Sequence, residues 1–182
     1  MRAIYTICKY FLCPGAYVHA FWEQIMCRIL KLPVETKKYF GNGIDGGHVK
    51  HAPAKKEVSA FLIACVPGFV NFITGVWFFL AGFMNLRFMG ITVYDSIPIF
   101  VISTVLIYIG VSFLCNTFPL REDIATFWTL AYKSPFSGKM LVLRVIAFIP
   151  ALITKIGAFA QHYCIPELFW AAVVALAFTV FK

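Results

Sequence analysis

Two long stretches without a single charged residue, Val58 to Leu86 and Ser96 to Leu120, constrain this chain more than any other feature. Each exceeds the roughly 20 helical residues that cross the hydrocarbon core of a bilayer. Neither has a polar face to turn toward water, so neither reads as the amphipathic helix of a soluble domain. The remaining sequence agrees, with 61% of the 182 residues apolar and 13% charged. Mean hydropathy is +0.83. Tyr10 to Leu30 reads as an earlier span that carries one acid, Glu23. Met140 to Phe181 is interrupted by Arg144, Lys155 and Glu167. It is long enough for two short spans turning near Gln161 to Cys164, or for one span plus an interfacial segment, and Pro166 favours a break. The expected fold is an all-α polytopic membrane protein in one domain, 1–182, with four to five transmembrane helices: 10–30, 58–84, 96–118 and one or two within 140–181.

A net charge of +8 in a soluble protein would suggest nucleic acid. In this chain the basic residues are sorted by loop, so no nucleic-acid partner is expected. Arg28, Lys31, Lys37, Lys38, Lys50, Lys55 and Lys56 crowd the segment after the first span, Arg87 follows the second, and Arg121, Lys133 and Lys139 follow the third. The positive-inside rule then puts the 31–57 and 121–139 loops in the cytoplasm and a short N-terminus outside. Lys9 cuts the first apolar stretch, and more span follows Ala20, so the N-terminus is read as retained and not as a cleaved signal. Arg144 and Lys155 are expected to snorkel to headgroups. The six cysteines show no CxxC spacing and read as small packing residues.

Pro33 to Pro53 changes character. Val34 to Phe40 and His48 to His51 flank the glycine-rich run Gly41 to Gly47, which predicts a short β-hairpin at 33–53 on the membrane surface. Its edge could take up an extended peptide, and its basic residues could equally meet lipid headgroups.

Within the first span, His19 and Glu23 stand four residues apart, on one face of one helix. An ionisable group at that depth costs roughly 2.5–3.5 kcal/mol on insertion scales, so it faces a partner, a cavity or a metal. Asn116-Thr117-Phe118-Pro119 and, further on, Asp123 follow the third span. Pro119 ends or kinks that helix, and Asp123 would make a third ligand, with a solvated helix cap as the simpler alternative. Asn71, in Pro67-Gly68-Phe69-Val70-Asn71, is a further polar residue inside a span, with an interhelical hydrogen bond as its simplest use.

In their order and membrane placement these segments resemble the site-2 protease family of intramembrane zinc metalloproteases, above all its small prokaryotic members. Pro14 to His19 is similar to the approach to that family's HExxH helix, Asn116 to Asp123 to its aspartate motif, and Pro67 to Asn71 loosely to its central motif with Gly and Pro reversed. The glycine-rich hairpin falls where the family places its substrate-pairing strand. The resemblance covers about residues 10 to 130. It implies a zinc site of His19, Glu23 and Asp123, with Asn71 and Asn116 in the catalytic surroundings. The substrate it implies is a membrane-embedded peptide, and the location a prokaryotic cell membrane whose lipids are the other partner.

The sequence departs from that pattern at the base. His19-Ala20-Phe21-Trp22-Glu23 is HAxxE, with Ala20 where the family has its catalytic glutamate and Glu23 where it has the second histidine. Carboxylate oxygen is an acceptable zinc ligand, but alanine takes no proton, and a positioned base contributes roughly 10²–10⁴-fold. Ala20 marks either a natural inactive relative or an inactivated variant. His48, His51 and His162 are candidates to complete a metal shell or replace the base. Two other functions are open from the sequence. One is a non-catalytic binder of a transmembrane partner, and the other a small transporter or metal-handling protein whose buried polar residues mark a route.

Overall fold

The computed structural model describes residues 2–35, 47–133, 141–161 and 163–180. Its elements are α1 (Arg2–Phe11), α2 (Cys13–Ile29), α3 (Glu57–Phe83), α4 (Ile97–Cys115), α5 (Arg121–Trp128), α6 (Leu141–Gln161) and α7 (Ile165–Val180). Single π-helical turns extend α3 over Met84–Phe88 and α5 over Thr129–Lys133. Three helices are long and apolar enough to cross a membrane: Glu57–Phe88, Ile97–Cys115 and Arg144–Gln161. Ile165–Val180 is apolar but shorter. Bulky side chains on these helices face outward, Trp77 at 77% exposure and Ile146 at 69%, while Lys9, His19, Glu23 and Arg144 lie inside. That is the reverse of a water-soluble protein and suits a surround of lipid.

The segment 10–30 is not one continuous helix. It breaks at Leu12, because Pro14 sits in the first turn of α2 and its ring excludes a helical path through the preceding turn. The Leu12 carbonyl accepts instead from Ser112 Oγ at 2.8 Å and Asn116 Nδ2 at 3.1 Å, both from the end of α4. Gly15 completes this junction. A Cβ there would lie 2.1 Å from the Ser112 carbonyl oxygen, so only glycine lets α2 and α4 come this close. α2 ends in a Schellman arrangement, Lys31 N–H to Arg28 O (3.1 Å) and Leu32 N–H to Cys27 O (2.8 Å), with Lys31 at φ 55°. The turn sends the chain back along α2.

No β-strand forms among the described residues. Of the expected hairpin, the described residues show one antiparallel bridge, Val34 to His51, carried by Glu35 N–H to Lys50 O (2.8 Å) and Ala52 N–H to Pro33 O (3.1 Å). Residues 36–46, which take in most of its expected first strand and its glycine-rich turn, lie outside the described residues. The third span ends at Cys115, three residues short of 118, where Asn116 leaves helical geometry ahead of Pro119. The last apolar stretch divides at Tyr163 and Cys164 into α6 and α7, with Cys164 at φ 54°.

Arg144 and Lys155, expected to snorkel, each have a partner within the protein. Arg144 holds Glu57 with two hydrogen bonds, Nη2 to Oε1 at 2.6 Å and Nε to Oε2 at 3.3 Å, clasping α6 to the start of α3. Tyr132 O–H donates to the Arg144 carbonyl at 2.8 Å. Lys155 places Nζ 4.4 Å from the centroid of the Trp128 ring, a cation–π contact between α6 and α5. All six cysteines are free thiols, Cys27 and Cys115 buried.

Candidate metal centre

α2 supplies His19, Ala20 and Glu23 to the protein interior, where their exposures are 2%, 0% and 1%. Opposite them runs the segment 47–52. Gly47 starts it, at φ 86°, with the position of a Cβ only 2.7 Å from the Ala16 Cβ. Both the left-handed backbone and the contact demand glycine, and together they press 48–51 against α2. His48 and Val49 are buried there. The Val49 N–H donates to Glu23 Oε2 at 3.2 Å, and His48 Nδ1 faces the same oxygen at 3.3 Å. The His19 and His48 rings meet edge to face, with centroids 4.8 Å apart.

The other carboxylate oxygen faces a different neighbour. His51 Nε2 lies 3.6 Å from Glu23 Oε1 and 3.3 Å from Asp123 Oδ1. Asp123 reaches this point from the first turn of α5. First Asp123 and then Glu23 raise the His51 imidazole from its usual range to about 11, because both favour the imidazolium. Glu23 Oε1 itself is buried with no hydrogen-bond partner among the described residues. His51, Asp123 and Thr126 also border a cavity of about 10 Å³, room for roughly one water-sized occupant.

Two histidines are set in the tautomer that metals use. His19 Nδ1 donates to the Asn116 carbonyl at 2.9 Å, and His51 Nδ1 donates to the Ala52 carbonyl at 2.9 Å. Since a carbonyl can only accept, Nδ1 carries the proton in each ring. In a neutral ring Nε2 then keeps its lone pair, as in metal-ligating histidines; His51 reaches that state only by giving up the proton that Asp123 and Glu23 favour. Two groups of three side chains bring ligand atoms within 4.8 Å of one another: His19, Glu23 and His48, and Glu23, His51 and Asp123.

The three ligands expected from sequence are therefore brought together only through Glu23, with His19 on one side of it and Asp123 on the other. His48 and His51 each enter one group; His162 lies outside the described residues. No periodicity marks a loop histidine, and the signal that could have raised their rank is the short spacing His48-Val49-Lys50-His51 directly after a glycine turn. Asn116 acts on the site through its backbone. Its side chain accepts from Lys9 Nζ at 2.5 Å and donates to Leu12 O and Ser112 O. Asn71 donates from Nδ2 to Gly15 O (3.0 Å) and to the same Asn116 carbonyl that holds His19 (2.8 Å). Both asparagines tie the helices that carry the cluster. Ala20, wholly buried beside His19, offers no group that titrates.

No protein-family model, curated protein or solved structure matches this chain.

Proposed function

We propose that this protein is an integral membrane metallopeptidase-like protein of the site-2 protease kind, with a zinc centre built around His19 and Glu23 and a membrane-embedded peptide as its substrate. The observation that carries the reading is the meeting of three imidazoles and two carboxylates in two groups that share the buried Glu23, from α2, the 47–52 segment and α5, which are far apart in sequence. An uncompensated group of this kind is costly inside a membrane protein, and a bound divalent ion compensates it. Zinc, when bound, acts as a Lewis acid and lowers the pKa of a water toward about 7.

The protein's own residues hold and orient this centre. Asn116 and Ala52 fix the ring protons of His19 and His51, and Val49 steadies the Glu23 carboxylate. No glutamate stands beside His19 to take a proton, because position 20 is alanine. The chain as it stands is accordingly a weak peptidase or a non-catalytic binder of a transmembrane segment. Four or five spans, in a prokaryotic cell membrane with the 31–57 loop in the cytoplasm, complete the reading. They rest on the three long apolar helices, the shorter α7 and the crowding of lysines after α2.

Elemental analysis of the purified protein tests the centre. Bound zinc that falls in His19→Ala and Glu23→Ala supports it, and a metal-free parent protein that stays metal-free after zinc is supplied overturns it. Orientation is tested separately with single cysteines in a cysteine-free background. Those at Lys50 and Lys133 should be shielded from an impermeant thiol reagent in intact cells while one at Tyr94 labels; the opposite pattern reverses the topology.

A further inference from the structure

We propose that the centre is dinuclear, with the Glu23 carboxylate bridging two divalent metal ions: one bound by His19 and His48, the other by His51 and Asp123. The proposal rests on the zinc reading above and extends it. Two donors bound tetrahedrally at about 2.0–2.2 Å from one ion lie about 3.3–3.6 Å from each other. The separations found are His48 Nδ1 to Glu23 Oε2, 3.3 Å, on one side, and His51 Nε2 to Glu23 Oε1, 3.6 Å, and to Asp123 Oδ1, 3.3 Å, on the other. Charge-assisted hydrogen bonds between the same groups would be shorter, about 2.7–2.9 Å. The Arg144–Glu57 pair in this same protein has one contact at 2.6 Å and one at 3.3 Å, whereas every imidazole–carboxylate contact in the cluster is 3.3 Å or longer.

Three further observations point the same way. The two oxygens of Glu23 are divided between the groups, one for each, as a bridging carboxylate requires. Oε1, on the His51 side, is buried and without a hydrogen-bond donor. The cavity beside His51 and Asp123 leaves space on that side for a small occupant. His19 and Asp123 do not fall within one group, and Glu23 is the residue the two groups share. Two-metal sites hold their ions about 3.5–4 Å apart, a separation that a bridging carboxylate can span.

The test is metal stoichiometry on the full-length protein in detergent, loaded with zinc and freed of excess. Two ions per chain are expected. His19→Ala and Asp123→Asn should each retain one, from opposite halves, and Glu23→Ala should retain none. One ion per chain, lost alike in His19→Ala and Asp123→Asn, overturns the bridge while leaving the zinc centre intact. No ion at all removes both readings. Because a variant can fail to fold, the unsubstituted protein is also loaded with manganese(II) and examined by electron paramagnetic resonance. A spin-coupled pair supports the bridge, and an isolated-ion spectrum at full loading overturns it.

Discussion

Two carboxylates, the partly buried Glu57 and the buried Glu23, meet opposite fates in this protein. Glu57 is matched: one guanidinium supplies an N–H to each of its oxygens, at 2.6 and 3.3 Å, and the charges cancel. Glu23 has a backbone N–H and an imidazole at Oε2, but at Oε1 only His51 at 3.6 Å, with a second acid competing for the same ring. A matched pair is complete and can only hold elements together. In the cluster one carboxylate oxygen, Glu23 Oε1, has no hydrogen bond among the described residues, and the His51 ring is shared between two acids. The difference separates a completed clasp from a cluster that leaves a buried oxygen unmatched.

The comparison breaks first, and most visibly, on metal. Saturating zinc should raise the unfolding midpoint of the protein in detergent, since a ligand at 1,000 times its dissociation constant stabilises by about 4.1 kcal/mol. Glu23→Gln should abolish the rise and Arg144→Met should leave it intact; a zinc response lost in Arg144→Met but kept in Glu23→Gln would invert the assignment of clasp and site. A gain of function comes next. Ala20→Glu sets a carboxylate one helical position from His19, and cleavage of membrane-embedded peptides, measured in liposomes, should increase by about 10²-fold and vanish with a chelator. Zinc-loaded Ala20→Glu protein that cuts nothing would make binding the better description of the site.

Arg144→Met should lower the midpoint equally with and without metal, because it strands Glu57 near the protein interior. Adding Glu57→Gln should recover part of the loss, since removing both partners of such a pair costs less than removing one. A double variant as unstable as the single one would show that Arg144 matters for its packing alone. A smaller effect is expected at Gly47→Ala, about 1–3 kcal/mol, from a side chain forced to φ 86° against Ala16. As His48 follows directly, zinc affinity should fall in the same variant, and unchanged affinity would detach the turn from the site. Smallest is Lys155→Met, about 0.5–1 kcal/mol for an exposed cation–π contact, with no effect on metal content.

The apolar spans were legible because nothing but lipid accommodates Val58 to Leu86 or Ser96 to Leu120 without charge, and helices occupy both. His19 and Glu23 were legible for the complementary reason: ionisable groups in an apolar run need an explanation, and helical spacing puts them side by side. Asp123 was visible only as an acid after a span. What it meets is decided by the path of the 47–52 segment, which no local pattern encodes. The same holds for Arg144, whose partner Glu57 lies 87 residues earlier, so a snorkelling arginine and a clasping one look alike in sequence. The break at Leu12 was signalled by Pro14, yet the apolar character on both sides concealed it. Composition reveals which side chains must be explained, and tertiary contact supplies the explanation.

The position of Asn116 has a consequence for how the protein is made. His19, Glu23 and His48 all leave the ribosome before α3 has been synthesised, so one half of the cluster exists as a sequence early. The carbonyl that holds the His19 ring proton belongs to a residue 97 positions later, and Asp123 is later still. Until α4 is inserted, His19 lacks the carbonyl that fixes its ring proton on Nδ1. The last turn of α4 is therefore the step that completes the His19 side of the cluster, long after the residues of α2 have been made.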